Sequence, residues 1–355
     1  MSEVTGKTIV HLPNWLGDMV MAVPFLNSLR AHLKDELWGI GRTSSIHLYN
    51  GLNIFDRFIP FDSKGMMSML DAVTSIKQSG FQRAVVLPHS FRSALLFYMA
   101  RVNERTGYPR NKRGFMLTRH VPENNELEPT VERYLKIMDV LGGERLSDTP
   151  MLAITDDEER KFDQDHTDVS QPYAVFITGA QYGPSKCWPP EHFSELVDMI
   201  SSAYSMKIYI LPGKGEDSLA RKIYEGVKRK EFMEIKSMGI RDLKICLSRA
   251  SFVVSNDTGP RHISVALKVP TVVLLGPMDE KYTRYTNNYT YVMAKEIPCR
   301  PCNNKKCDKN HECLKGISPA EVFLKVEEIL NGSPQTRMLQ EGYPEETVQG
   351  EERSV

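Results

Sequence analysis

What most constrains this chain is an alternation, run through twice, of short apolar segments with longer amphipathic ones. In the first half, residues 8–12, 37–40, 57–61 and 84–87 have the length and apolar character of buried strands. Residues 18–33, 66–77, 91–101 and 130–141 carry helical spacing. The rhythm restarts after a polar stretch at 156–171, read as a helix start followed by a linker. Strands are then expected at 173–178, 208–211, 252–255 and 271–275, with helices near 190–203, 217–226, 241–247, 261–266 and 319–330. Strands alternating with helices form a parallel sheet covered by helices. Two such series joined once predict an α/β chain of two Rossmann-like domains facing each other across a cleft. The boundaries are set at residues 1–165 and 166–330, followed by a polar tail at 331–355 expected to be mobile. Ligands in such sheets bind outside the carboxyl ends of the strands, so the strand-to-helix turns are where chemistry is sought.

Charge excludes one class of partner. Lys plus Arg and Asp plus Glu each total 45 in 355 residues, so no global basic field draws the chain to nucleic acid. The amino terminus lacks the charged-then-apolar pattern of a signal peptide, and no apolar run approaches the length of about 20 residues that spans a bilayer. A soluble, cytoplasmic protein is expected.

Four turns hold the unusual residues. In Pro13-Asn14-Trp15-Leu16-Gly17-Asp18, Gly17 suits a tight turn and Asp18 either caps the next helix or faces the cleft. The turn Gly179-Ala180-Gln181-Tyr182-Gly183-Pro184-Ser185-Lys186 is no Walker loop, because Cys187 follows the lysine. Lys186 is a phosphate ligand or a solvated surface lysine. Gly213-Lys214-Gly215 and Gly39-Ile40-Gly41 do not complete a dinucleotide fingerprint. The fourth turn, Asn256-Asp257-Thr258-Gly259-Pro260-Arg261-His262, leaves a strand and opens a helix with Pro260 near its first position. Its backbone N–H groups and the helix dipole suit an anion such as a diphosphate.

Together PNWLGDMVMAVPFLNSLR, VLPHSFRSALL with RTGYPR, GAQYGPSKCWPPEHF and VSNDTGPRHISVAL followed by LLGP closely resemble bacterial ADP-heptose:lipopolysaccharide heptosyltransferases. The likeness runs in order from about Ile9 to Leu330 and is nearest to the branch acting second in inner-core assembly. It implies a GT-B fold, inverting transfer without a catalytic metal, an acceptor site in the first domain and a nucleotide site in the second. Carried over, Asp18 becomes the general base and Lys186 a diphosphate contact. Glu216 becomes a ribose contact, and Asp257, Thr258, Gly259 and His262 surround the nucleotide. The implied partners are ADP-heptose, an anionic lipopolysaccharide core acceptor and, peripherally, the inner face of the cytoplasmic membrane. Residues 43–80 carry no motif of the family, and the segment 298–313 belongs to only part of it.

Two local clusters remain. Between Arg101 and Arg119 there are six Lys or Arg against one Glu, with Arg92 just upstream. They form a solvated face or an anion site, in which Arg92 and Arg105 would meet acceptor phosphates or carboxylates. Cys299, Cys302, Cys307 and Cys313, with His311 beside them, have ligand-like spacing, leaving structural zinc or free thiols in a reducing compartment. A nucleotide-sugar epimerase and a non-catalytic nucleotide-binding regulator are the alternative functions.

Overall fold

A computed structural model describes residues 6–62, 65–123, 126–169 and 172–332; the expected tail lies almost wholly outside these. The first half builds strands β1 (Lys7–His11), β2 (Glu36–Gly41), β3 (Arg57–Pro60), β4 (Arg83–Val86), β5 (Glu104–Gly107) and β6 (Arg119–His120). Its helices are α1 (Leu16–Met21), α2 (Val23–His32), α3 (Thr43–Tyr49), α4 (Met66–Ser79), α5 (Phe91–Met99) and α6 (Thr130–Leu141). The polar stretch forms α7 (Asp156–Asp165), opened by a capping box between Thr155 and Glu158.

The second half supplies β7 (Tyr173–Ile177), β8 (Lys207–Ile210), β9 (Met233–Ile235), β10 (Val253–Asn256), β11 (Thr271–Leu274) and β12 (Thr290–Met293). Helices α8 (Pro190–Tyr204), α9 (Asp217–Gly226), α10 (Ile240–Ser248), α11 (Gly259–Ala266), α12 (Glu312–Lys315) and α13 (Pro319–Gly332) complete it.

Each half is one parallel sheet, in the order β3-β2-β1-β4-β5-β6 and, in the second, β9-β8-β7-β10-β11-β12. Both are the doubly wound order, and both reverse direction between their first and fourth strands. That reversal opens a crevice at the carboxyl edge. The turns holding Asp18 and Phe91 leave the switch-point strands β1 and β4. The turns holding Lys186 and Asp257 leave β7 and β10. The topology therefore gathers all the candidate turns on the ligand edges.

One helix expected over residues 18–33 is two. Pro24 sits in the first turn of α2 and has no N–H to continue the ladder of α1, so the chain restarts after Ala22. Strands β5, β6, β9 and β12 were not expected. They are short, and β5 and β6 read as Glu-Arg-Thr-Gly and Arg-His, with no apolar run to mark them. The halves are joined by a buried cation. Lys244 on α10 donates to Glu158 Oε2 on α7 (3.1 Å) and to the carbonyls of Asn50 (3.4 Å) and His47 (3.5 Å) around the end of α3. Breaking one partner of such a pair typically costs about 3–5 kcal/mol, so this contact helps hold the two halves together, beside the apolar core they share.

Candidate active site between the two sheets

A cavity of about 680 Å³ lies between the halves, within the range of small-molecule sites. One wall is Trp15–Asp18, Met21 and Thr130; the other includes Gly179, Lys186, Glu216, Asp257–Pro260 and His262. Asp18, Lys186, Glu216, Asp257, Thr258, Gly259 and His262, which sequence reasoning singled out, all line it.

Asp18 is not the cap of α1. Trp15 occupies that position, and no side chain caps the helix. Burial raises the Asp18 carboxyl above its ordinary value, opposed by the Arg133 guanidinium and by a hydrogen bond from Tyr134. Both residues come from α6. Gly17 has no positive φ, so no special turn requires it. A Cβ there would lie 2.8 Å from His262 Cδ2, and one on Gly259 would lie 3.0 Å from Leu16 Cβ. The glycines are needed because the first turns of α1 and α11 abut across the cavity.

On the opposite wall, Asp257 is held by two cations. Lys186 Nζ donates to Asp257 Oδ2 (2.7 Å) and to its carbonyl (3.1 Å), and Arg261 Nε donates to Oδ1 (2.9 Å). Burial alone would raise the Asp257 carboxyl, but Arg261 and Lys186 outweigh it and hold the group well below the usual range. Two cations against one carboxylate leave excess positive charge beside the opening of α11. There Thr258 is the N-cap and no side chain satisfies the free N–H groups. His262 is neutral at physiological pH, because burial and then Arg261 lower its pKa; its Nδ1 lies 2.6 Å from the Tyr285 hydroxyl. Glu216 accepts from the backbone N–H of Gly213 (2.7 Å) and from that of Ala180, and burial raises its pKa. Its other role is steric: a Cβ on Gly179 would fall on its carboxylate.

The cysteine segment buttresses the Lys186 turn. Tyr182 donates its hydroxyl to the Asn303 carbonyl (2.7 Å), Ser185 donates to that of Asn304 (2.6 Å), and Gly183 approaches the Lys305 carbonyl too closely for a side chain. The thiols of Cys299, Cys302 and Cys307 lie near enough to Cys313 to raise its pKa beyond the effect of burial. The backbone N–H groups of Lys309 (3.4 Å) and His311 (3.3 Å) donate to Cys307 Sγ. Among the described residues, however, no three His, Cys, Asp or Glu side chains converge as a metal-holding group.

Arg92 and Arg105 do not line the cavity. Arg92 donates to the Gly65 carbonyl, while Arg105 donates to the carbonyls of Met116 (2.5 Å), Val102 and Asn103 (3.2 Å). Their guanidinium groups hold outer loops of the first sheet. His89 also lies off the cavity, with burial and then Arg110 lowering its pKa to about 4. Sequence reasoning missed Arg261, Tyr285, Arg133 and Tyr134. Arg261 stood inside a recognised turn, four residues after Asp257, a spacing that pairs charges on a helix. Nothing local distinguishes Arg133 and Tyr134 from the rest of an amphipathic helix.

A sequence model of glycosyltransferase family 9 (heptosyltransferase) matches residues 69–312. The chain belongs to this family. It is 25% identical over 345 residues to lipooligosaccharide heptosyltransferase 2 of Campylobacter jejuni, covering 91% of this chain and 99% of that one. Lipopolysaccharide heptosyltransferase 2 of Escherichia coli K12 is likewise 25% identical, over 78% of this chain and 84% of its own. The solved structure of E. coli ADP-heptose lps heptosyltransferase II superposes with a TM-score of 0.79 at 22% identity, covering 91% and 98% of the two chains. The family 9 transferase thus has the GT-B fold that its motifs implied. Among its described residues, no helix is long and apolar enough to cross a membrane.

Proposed function

We propose that this family 9 enzyme transfers heptose from ADP-heptose to an anionic sugar of the lipopolysaccharide inner core, with inversion and without a catalytic metal. The single observation that carries this reading is one cavity with a buried carboxylate on one wall and an unneutralised cationic helix opening on the other. Asp18 takes the proton of the acceptor hydroxyl as that oxygen attacks the anomeric carbon, and ADP departs from the opposite face. A raised pKa makes Asp18 a stronger base than a helix-capping carboxylate. Lys186 and the N–H groups near Gly259 stabilise the charge growing on the leaving diphosphate, the task a divalent cation would otherwise perform. Glu216 accepts from the ribose hydroxyls, and Asp257, Thr258 and His262 shape the nucleotide wall. Arg92 and Arg105, on the outer face, would meet the parts of the acceptor nearest its lipid, which puts the enzyme at the inner face of the cytoplasmic membrane.

The cysteine segment has a structural role in this reading. Zinc at Cys299, Cys302, Cys307 and Cys313 would draw the four sulfur atoms together and stiffen the support of Lys186. It would take no part in the reaction.

The test is mass spectrometry of purified inner-core acceptors incubated with ADP-heptose and the enzyme. A heptose increment on the acceptor is expected. Donor isomerisation without acceptor, or ADP binding without turnover, would overturn the proposal.

A further inference from the structure

Away from the cleft, the first domain carries an apolar surface that no described residue covers. Met66, Met67 and Phe115 are 74%, 70% and 69% exposed. Single exposed apolar side chains are ordinary, but contiguous patches on a soluble chain mark contact sites. These stand on α4 and beside α5, two helices in contact with each other. Helix α4 buries Met69, Ala72, Val73 and Ile76 and turns Met66, Met67 and Leu70 outward. Helix α5 turns out Phe91 and, two turns later, Tyr98. The Phe115 ring lies 6.3 Å from that of Phe91 and 6.1 Å from that of Tyr98. The bond from Arg92 to the Gly65 carbonyl ties the start of α5 to the residue before Met66.

The rim of this patch is basic in a chain of zero net charge. Arg101 follows Met99 by two residues, Lys112 precedes Phe115 by three, and Arg119 stands in the edge strand β6; all three are exposed. Asp62, Asp71 and Glu104 are exposed acidic residues beside them, while the Arg105 guanidinium lies over the Tyr98 ring at 5.7 Å. An apolar centre with a cationic border matches an anionic bilayer surface, where rings and thioethers enter the boundary below the headgroups and each cation adds attraction.

The placement is also suited to the site. Strands β1 and β4 are parallel neighbours, so the turns carrying Asp18 and Phe91 rise from the same edge of the sheet. We propose that this surface, from Met66–Leu70 through Phe91 and Tyr98 to Phe115, docks on the anionic face of a lipid bilayer. Its use to the enzyme rests on the acceptor being lipid-linked, as in the reading above. The docking itself does not.

Vesicle flotation with the full-length protein tests it in the absence of donor and acceptor. Binding is expected to mixed phosphatidylcholine–phosphatidylglycerol vesicles and not to pure phosphatidylcholine. Raising salt from about 0.1 M to about 1 M, which shortens the Debye length from about 10 Å to about 3 Å, should release the protein. The double variant Met67→Asp, Phe115→Asp should bind at least tenfold more weakly, since it replaces two membrane-facing apolar groups by charges. Its turnover of a delipidated acceptor should be unchanged, which shows that it is folded. Wild-type protein that ignores anionic vesicles overturns the proposal. So does a wild-type dimer in sedimentation that the double variant dissociates while vesicle binding stays the same, since the patch would then serve a second copy of the chain. Loss of heptose transfer with vesicle binding intact would sink the catalytic reading alone.

Discussion

Gly17 lies against the imidazole of His262, so close that a Cβ at position 17 would stand 2.8 Å from Cδ2. One residue belongs to the turn that carries Asp18, the other to the helix whose opening carries the cationic wall. Gly17→Ala must therefore push α1 away from α11 and displace Asp18, its next neighbour. A misplacement of about 1 Å can cost about 10²-fold in rate. A fall of that order in kcat is expected, with donor affinity much less affected. Steady-state kinetics with ADP-heptose checks it, and a variant within a few-fold of wild type would mean the contact does not set the geometry.

Lys186 and Asp257 give a prediction about donor binding. ADP should raise the Tm of the wild type, because a ligand of the native state stabilises it, and Lys186→Ala should shrink that shift. Equal shifts would remove Lys186 from the site. Asp257 also makes a pH prediction. Its folded pKa is depressed, so its contribution is complete above the ordinary carboxylate value of about 3.9 and is lost as pH falls through the lower folded value. Urea unfolding below about pH 4 should show a steeper loss of stability for wild type than for Asp257→Asn.

Much of this was legible because the turns are short and chemically marked. Asp18, Lys186 and the Asp257–His262 turn each follow an apolar strand, and strand order alone brings switch-point turns to one edge. Less legible were contacts made between elements far apart in sequence. On spacing alone Asp18 read more readily as a cap, and only Trp15 in the cap position and Tyr134 on α6 separate the readings. Gly17 read as a turn residue, although its requirement comes from His262, some 250 residues away. The arginine-rich stretch left a solvated face and an anion site open, because sequence cannot show that Arg105 donates to the carbonyls of Met116, Val102 and Asn103.

Metal ions separate the two roles assigned above. Turnover should survive brief EDTA treatment and gain nothing from Mg²⁺ or Mn²⁺. Loss in EDTA that either ion restores would contradict charge stabilisation by Lys186 and α11. Elemental analysis after gentle purification should find a full equivalent of zinc, and clearly less would favour free thiols. Cys302→Ser should weaken the ADP-induced shift in Tm through the Lys186 turn without abolishing turnover.

Tyr134 should tune the base. Its hydrogen bond lowers the Asp18 pKa against the upward push of burial. Tyr134→Phe removes that opposition, so the acidic limb of the pH profile of kcat/KM should move to higher pH, with KM for ADP-heptose little changed. A limb that stays in place would show that the hydroxyl does not act on the titrating group.

The most direct test of the account is Asp18→Asn, assayed by mass spectrometry of heptose transfer to purified inner-core acceptor. Asparagine keeps the size and can still accept from Tyr134, yet it cannot take a proton. It also relieves the cost of an ionised carboxylate in a buried site, so Tm at neutral pH should not fall. The account predicts a loss in kcat of about 10²-fold or more, the usual scale for a general base, with the ADP-induced shift in Tm retained. An Asn variant that transfers heptose within a few-fold of the wild-type rate would contradict it.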